Sequence, residues 1–277
     1  MNLATAAAIV VVVATVAIGA MLLVRRRAPE GSYFADGDRA SAVFGVVSTG
    51  FAIFVGFVIF LAFESYDVTR TGANVEASSI VQQFETTQSL PAAVRAPLSA
   101  ELICYARTVV HQEWPRMQGG GLDAELNPWG LAMFRTLQPV EPKTNAEQAA
   151  YASLLDQRSA RETARLDRVR GTAAVIPVPL WIVLFLSAGV IFSFMLLFAD
   201  SGERAFVQAM MMGGVAVIIT STVLLLGFLN NPYGEGVGGL RPVAMERSLK
   251  LLALASTAVG DTGPTPCDEQ GFRRATP

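Results

Sequence analysis

Four stretches of the chain carry no charge: Leu3–Val24, Val43–Phe63, Leu180–Phe198 and Ala205–Leu229. About twenty consecutive apolar residues, rising about 1.5 Å each as a helix, cross the hydrocarbon core of a bilayer, so each stretch predicts a transmembrane helix. The polar residues between them set the connections. Arg25-Arg26-Arg27 closes the first span, and Asp200-Ser201-Gly202-Glu203-Arg204 allows only a tight turn between the third and fourth. Glu64-Ser65-Tyr66-Asp67 follows the second span with no Gly or Pro break, which predicts one helix leaving the membrane.

The pattern changes over 64–173, a segment of roughly 110 residues, large enough to be a domain. Val75, Ile80, Val81 and Phe84 prolong the second span's helix until Pro91 removes a backbone donor. Leu98, Leu102, Tyr105 and Val109 follow at helical spacing and predict one apolar face ending near Trp114-Pro115. Asn127-Pro128 reads as an N-cap with Pro at the first helical position, opening a short helix with Trp129, Met133 and Phe134. Thr144 or Asn145 caps a last helix reaching about Arg170.

The expected fold class is an all-α integral membrane protein, with a helical extramembrane domain between the second and third of four transmembrane helices. Its parts are the first two spans and their cytoplasmic loop (1–63), the helical domain (64–173), the last two spans (174–229), a Gly-rich turn and surface helix Val243–Ala255 (230–255), and a tail (256–277). The tail has few large apolar residues and is expected to be disordered.

Composition narrows the function. The chain is 52% hydrophobic and 16% charged with a net charge of −2, and its mean hydropathy is +0.44. No basic field points to nucleic acid. Two cysteines and one histidine leave little from which to build a metal centre, and no cofactor is expected. His111 beside Glu113 has no nucleophile or second ligand, and reads as a surface or capping histidine. Gly234-Glu235-Gly236-Val237-Gly238-Gly239 follows a membrane helix and lacks the Lys-Ser/Thr pair of a phosphate loop, so a turn is expected. With no acid/base pair to assemble, the reading is not an enzyme.

Charge also sets orientation. Basic residues in short loops favour the cytoplasm. Arg25–Arg27 and Arg39 therefore place the first loop inside, and the N-terminus, the 64–173 domain and the C-terminus outside. The first span has no basic residue before it and reads as an uncleaved anchor.

Several candidates for function follow. Gly45, Thr49, Ala52 and Gly56 share one face of the second span; they either let helices approach closely or line a pore. Ala209, Gly213, Ala216 and Thr220 repeat the spacing in the fourth span. Phe51, Phe54, Phe57, Phe60 and Phe63 recur every three residues and so spiral round the helix; Phe57 or Phe60 is the candidate for a hydrophobic gate, against the plainer reading of packing or lipid contact. No ionisable residue lies within a span, which argues against a pump or coupled transporter. Arg158, Arg161, Arg165 and Arg168 form a basic face leading to the third span. They are expected in a solvated network with Glu64, Asp67, Glu162 or Asp167, or else as an anion funnel at a channel mouth. Cys104 and Cys267 fall on the side read as external, where a disulfide is permitted; Cys104 reads equally well as a small core residue.

Four runs carry a family resemblance: Arg25-Arg26-Arg27-Ala28-Pro29-Glu30, Phe63-Glu64-Ser65-Tyr66-Asp67, Ala106–Pro115 with Glu113-Trp114-Pro115, and Asn231-Pro232-Tyr233-Gly234. Together they resemble the bacterial bestrophin-like membrane proteins, a domain of unknown function, over roughly Leu3 to Leu252. The resemblance implies a bacterial inner-membrane protein, distantly related to the bestrophins, which are pentameric anion channels of four membrane helices per subunit. Bestrophins keep the large segment in the cytosol, opposite to the charge argument. The function expected is a homo-oligomeric passive ion channel in the lipid bilayer, anion-selective if the likeness extends so far, with the second span nearest the pore. The alternative is a non-conducting envelope protein whose helical domain binds a partner or senses a condition.

Overall fold

The computed structural model describes residues 2–121, 127–234, 236, 238–260 and 263–274. In chain order its helices are α1 (Leu3–Arg25), α2 (Gly37–Thr87), α3 (Ala92–Thr108), a π-helical segment (Val109–Glu113), α4 (Trp114–Gln118), α5 (Pro128–Leu137), α6 (Asn145–Arg170), α7 (Val178–Leu197), α8 (Ala205–Leu229) and α9 (Val243–Ala258). Among the described residues the only β-structure is an isolated bridge between Cys267 and Arg273. The chain divides into one compact unit of Met1–Ser65 with Ala174–Gly239, and another of Tyr66–Ala173 with Leu240–Pro277.

The first unit contains α1, the first half of α2, α7 and α8. These four helices are long and apolar enough to cross a membrane. Packing between them rests on small and flexible side chains. Met21, Met195, Ala199 and Met212 form one buried cluster, and Ala188, Ile191 and Ile219 another, with Phe44 and Phe192 against both. Gly213 brings α8 onto α1 so closely that an added Cβ would lie 2.9 Å from Ile18 Cδ1. At one end the Asp200 carboxylate accepts from the Gly31 and Gly202 amides, and Arg25 donates to the Ser201 carbonyl. At the other, Asn230 Oδ1 accepts from the Val175 and Ile176 amides, joining the end of α8 to the approach to α7.

In the second unit the predicted face of α3 is buried, while Val75 of α2 and Phe134 of α5 are exposed. Ile80, Phe84, Leu98, Leu102, Tyr105 and Val109 are almost wholly enclosed. Asn127 caps α5 by accepting from the Trp129 amide, with Pro128 at the first turn. Thr144 and Glu147 form a capping box at α6, each satisfying the other's backbone donor. Gly72 lets α2 approach α6: an added Cβ would meet Ala164 O at 2.7 Å.

Helix α9 exposes Glu246, Arg247, Lys250 and Leu254 and buries one face, Met245, Ser248 and Leu252, with Ser248 Oγ donating to Ala77 O at 2.8 Å. One expectation is corrected here: the tail as a whole is not disordered. Ser256–Ala258 complete α9, and 263–274 fold into a loop held by Asp268, whose carboxylate accepts from the Gln270 and Phe272 amides. Gly271, at φ +85°, sits so close to α3 that an added Cβ would lie 2.6 Å from Thr108 N. The loop has few apolar residues because it is fastened by polar contacts. Thr108 Oγ1 and Trp129 Nε1 donate to Gly271 O, and Arg107 donates to Asp268 O. In the Gly-rich turn, Glu235 and Val237 lie outside the described residues.

Candidate functional site

The stripe on α2 is open. Gly45, Thr49, Ala52 and Gly56 are exposed, and a Cβ added at Gly45 or Gly56 meets nothing within 4 Å. Close packing within the protomer is therefore not what these small residues serve. The counterpart stripe in α8 differs, since Gly213 and Ala216 are buried. Phe57 and Phe60, about 60% exposed at 60% and 61%, also project from the unit, whereas Phe51 and Phe54 are half-buried. The α2 surface is thus free for lipid, a second copy or a conduit. Beyond Phe63 most exposed residues of α2 are polar, Glu64, Asp67, Arg70, Thr71, Asn74, Ser78, Gln82 and Glu85, with Val68 and Val75 exposed among them.

The arginine face of α6 does not stand in solvent. Arg161, Arg165 and Arg168 are 1%, 6% and 0% exposed. Arg168 donates through Nε and Nη2 to Glu76 of α2, and through Nη2 to Glu113 Oε2 at 2.6 Å. Arg165 donates to Glu113 Oε1 at 3.2 Å. Arg161 donates to Gln83 Oε1 at 2.8 Å and to Glu162 Oε1 at 2.7 Å, and its guanidinium lies 4.8 Å from the Tyr105 ring centroid. Arg158 is half-buried, 4.7 Å over the Phe134 ring. The expected partners Glu64 and Asp67 are exposed on α2, and Asp167 bonds Arg170; Glu162 alone of the four meets one of the buried arginines. An open funnel of these arginines is thereby replaced by a cluster in which three guanidinium charges meet three carboxylates.

The cluster is closed by neutral partners. Tyr105 O–H donates to Glu76 Oε1 at 2.6 Å, and Asn127 Nδ2 donates to Glu113 Oε1 at 3.0 Å. Burial alone would raise the Glu113 carboxyl, but the Arg168 and Arg165 guanidinium groups outweigh it and hold the group below its ordinary range. Burial and the Glu76 charge push the Tyr105 phenol well above its usual value. For Arg168, burial opposes the charge and the Glu76 and Glu113 carboxylates overcome it, raising its proton affinity. Glu113, Tyr105 and Arg168 are thus each held in one charge state, an arrangement suited to structure rather than to proton transfer.

Sequence reading missed Glu76 and Glu113. Glu76 precedes Ile80, Gln83, Phe84 and Thr87 at helical spacing, on what proves to be the buried face of α2; that register was the available signal. Glu113 follows Val109 by four residues, on the continuation of the apolar face of α3, and ends the π-helical segment. His111 in the same segment is exposed. Cys104 and Cys267, both fully buried, are joined in a disulfide across a separation of 163 residues. Among the described residues no His, Cys, Asp and Glu side chains gather in a group of three or more able to hold a metal.

The fold is matched by solved structures of bacterial proteins. A bestrophin homologue from Klebsiella pneumoniae carrying one substitution matches with a TM-score of 0.69 at 13% identity, over 90% of this chain and 98% of that one. Another structure of the Klebsiella pneumoniae homologue gives 0.66 at 14% identity, over 93% and 99%. A structure described as a membrane protein gives 0.68 at 13%, over 90% and 98%. No curated protein matches the chain. The fold is that of bacterial bestrophin homologues, and the molecule is an integral membrane protein. A family model for the Bestrophin-like domain matches residues 10–244, and the chain belongs to that family.

Proposed function

We propose that the chain forms a homo-oligomeric passive ion channel with α2 nearest the axis. The observation carrying this reading is the open stripe on α2, where glycines at 45 and 56 have no neighbour within the protomer while the same motif in α8 is packed. Family membership supports it. Small residues let copies of α2 approach one another, with Phe57 or Phe60 narrowing the passage. Anion preference rests on the family likeness alone, since Arg161, Arg165 and Arg168 of α6 are paired with carboxylates.

Orientation belongs to the same reading. The disulfide is at home in an oxidising compartment, and Arg25–Arg27 favours the cytoplasm for the first loop. Both support a domain outside the inner membrane. The chain's two lysines, Lys143 and Lys250, both lie in that unit. A membrane-impermeant amine reagent should label Lys143 in intact spheroplasts; protection that ends only on permeabilisation would reverse the topology.

Conduction is tested by halide and alkali-cation flux into liposomes containing wild type or Phe57→Ala. Flux above that of empty liposomes and altered by the substitution supports the reading, and the ion carried gives the selectivity. Absence of flux in both, with insertion verified, turns the interpretation to a non-conducting envelope protein.

A further inference from the structure

A second group of arginines, apart from α6, remains open. Arg70 of α2, Arg241, and Arg247 of α9 line a cleft of about 220 Å³ with Asn74, Trp114 and the first turn of α9, Val243–Met245. All three arginines are exposed, and among the described residues none forms an ion pair. No carboxylate lines the cleft; Glu246, the nearest in sequence, is exposed on α9 outside it. Three cations without counter-charge in one concave site repel each other unless an anion joins them.

The floor of the cleft is rigid. Trp114 is 3% exposed and donates through Nε1 to the Leu240 carbonyl, which fixes the strand of chain carrying Arg241. Met245, also buried, anchors the start of α9. That start has no side-chain cap, and its first intrahelical bond runs from Glu246 N to Pro242 O, so the amides of Val243–Met245 add donors to the arginines.

We infer that this cleft binds a phosphate-class oxyanion, held by Arg70, Arg241 and Arg247. Arg guanidinium groups present paired donors that match phosphate oxygens. A lipid headgroup is one source of such oxygens: Arg70 lies seven residues past Phe63, roughly 10 Å along the helix axis, just outside a headgroup layer roughly 5–8 Å deep. A free phosphate offers the same oxygens. The inference does not depend on conduction.

Full-length protein in mild detergent, offered equal phosphatidylglycerol and phosphatidylcholine, is examined by native mass spectrometry. Inorganic phosphate is titrated separately by ³¹P line broadening. Wild type is compared with Arg241→Gln, Arg247→Gln, their double variant, Arg247→Lys and the remote Lys143→Gln. Thermal unfolding shows that each variant is folded, as expected for exposed positions. Preferential retention of phosphatidylglycerol, reduced about tenfold or more by each Gln substitution and partly kept by Arg247→Lys, supports a lipid-headgroup site. Phosphate binding lost in the same variants, without lipid preference, supports a soluble oxyanion. Equal behaviour of wild type, the double variant and Lys143→Gln towards both ligands overturns the inference.

Discussion

Helix α2 reverses the usual rule between its two halves. From Gly37 to Ser65 it is apolar and mostly exposed, burying only Val55, Val58 and Ala62. From Tyr66 to Thr87 it is polar and much of it is buried, including Glu76, Ser79, Gln83 and Thr87. The solvent explains the inversion. Hydrocarbon does not penalise exposed Phe or Ile, so the first half needs few contacts of its own. The second half gains nothing from lipid and is held by packing and by satisfied polar groups. Burying a charge there is tolerable only because each finds its counter-charge.

That contrast is broken most severely at Arg168. Arg168→Leu leaves Glu76 and Glu113 without their shared partner and should cost about 3–5 kcal/mol. The exposed Arg170→Leu should change stability by less than about 0.5 kcal/mol. Equal melting of the two in detergent would remove the distinction between the buried and exposed arginines. Next in size is Cys267→Ser, expected to cost about 2–5 kcal/mol and to make 263–274 susceptible to protease, whereas wild type is resistant until reduced.

Within the membrane unit the two small-residue stripes allow a direct comparison. Gly213→Leu must displace Ile18 and should cost about 1–3 kcal/mol. Gly56→Leu meets nothing and should leave protomer stability within about 0.5 kcal/mol while suppressing flux. A large stability loss at Gly56 would show that its face is packed after all. The smallest effect concerns acid. Glu113 has a lowered folded-state pKa, so its contribution is complete above the unfolded carboxylate value of about 4.3 and fades as pH falls through the lower folded value. Wild type should therefore lose melting temperature on acidification more steeply than Glu113→Gln, and parallel curves would remove the carboxylate from the stability of the second half.

Much of this architecture could be read from hydrophobic spacing. The spans predicted at Val43–Phe63 and Ala205–Leu229 lie in α2 and α8, and Leu98, Leu102, Tyr105 and Val109 share the buried face they were assigned. Caps at Thr144 and Asn127 were also legible, because their chemistry is local. The arginine cluster was not. Arg161, Arg165 and Arg168 beside Glu162 and Asp167 have the pattern of an exposed, ion-laced helix. Only tertiary proximity to Glu76, 92 residues away, identifies them as interior. The fastened tail was hidden for a related reason: its attachments are carbonyls and one cysteine, which leave no hydrophobic signature.

The π-helical segment at Val109–Glu113 has a further consequence, concerning length. Continuing the spacing of Leu98, Leu102, Tyr105 and Val109 through a plain α-helix would turn Gln112, Glu113 and Arg116 inward; instead Trp114 and Met117 are buried beside Glu113, and Arg116 is exposed. The extra residue is what turns Trp114 towards Leu240. Removing any one residue of the five would rotate all that follows by about 100°. This pentapeptide should accept many changes of letter at His111 yet no change of count.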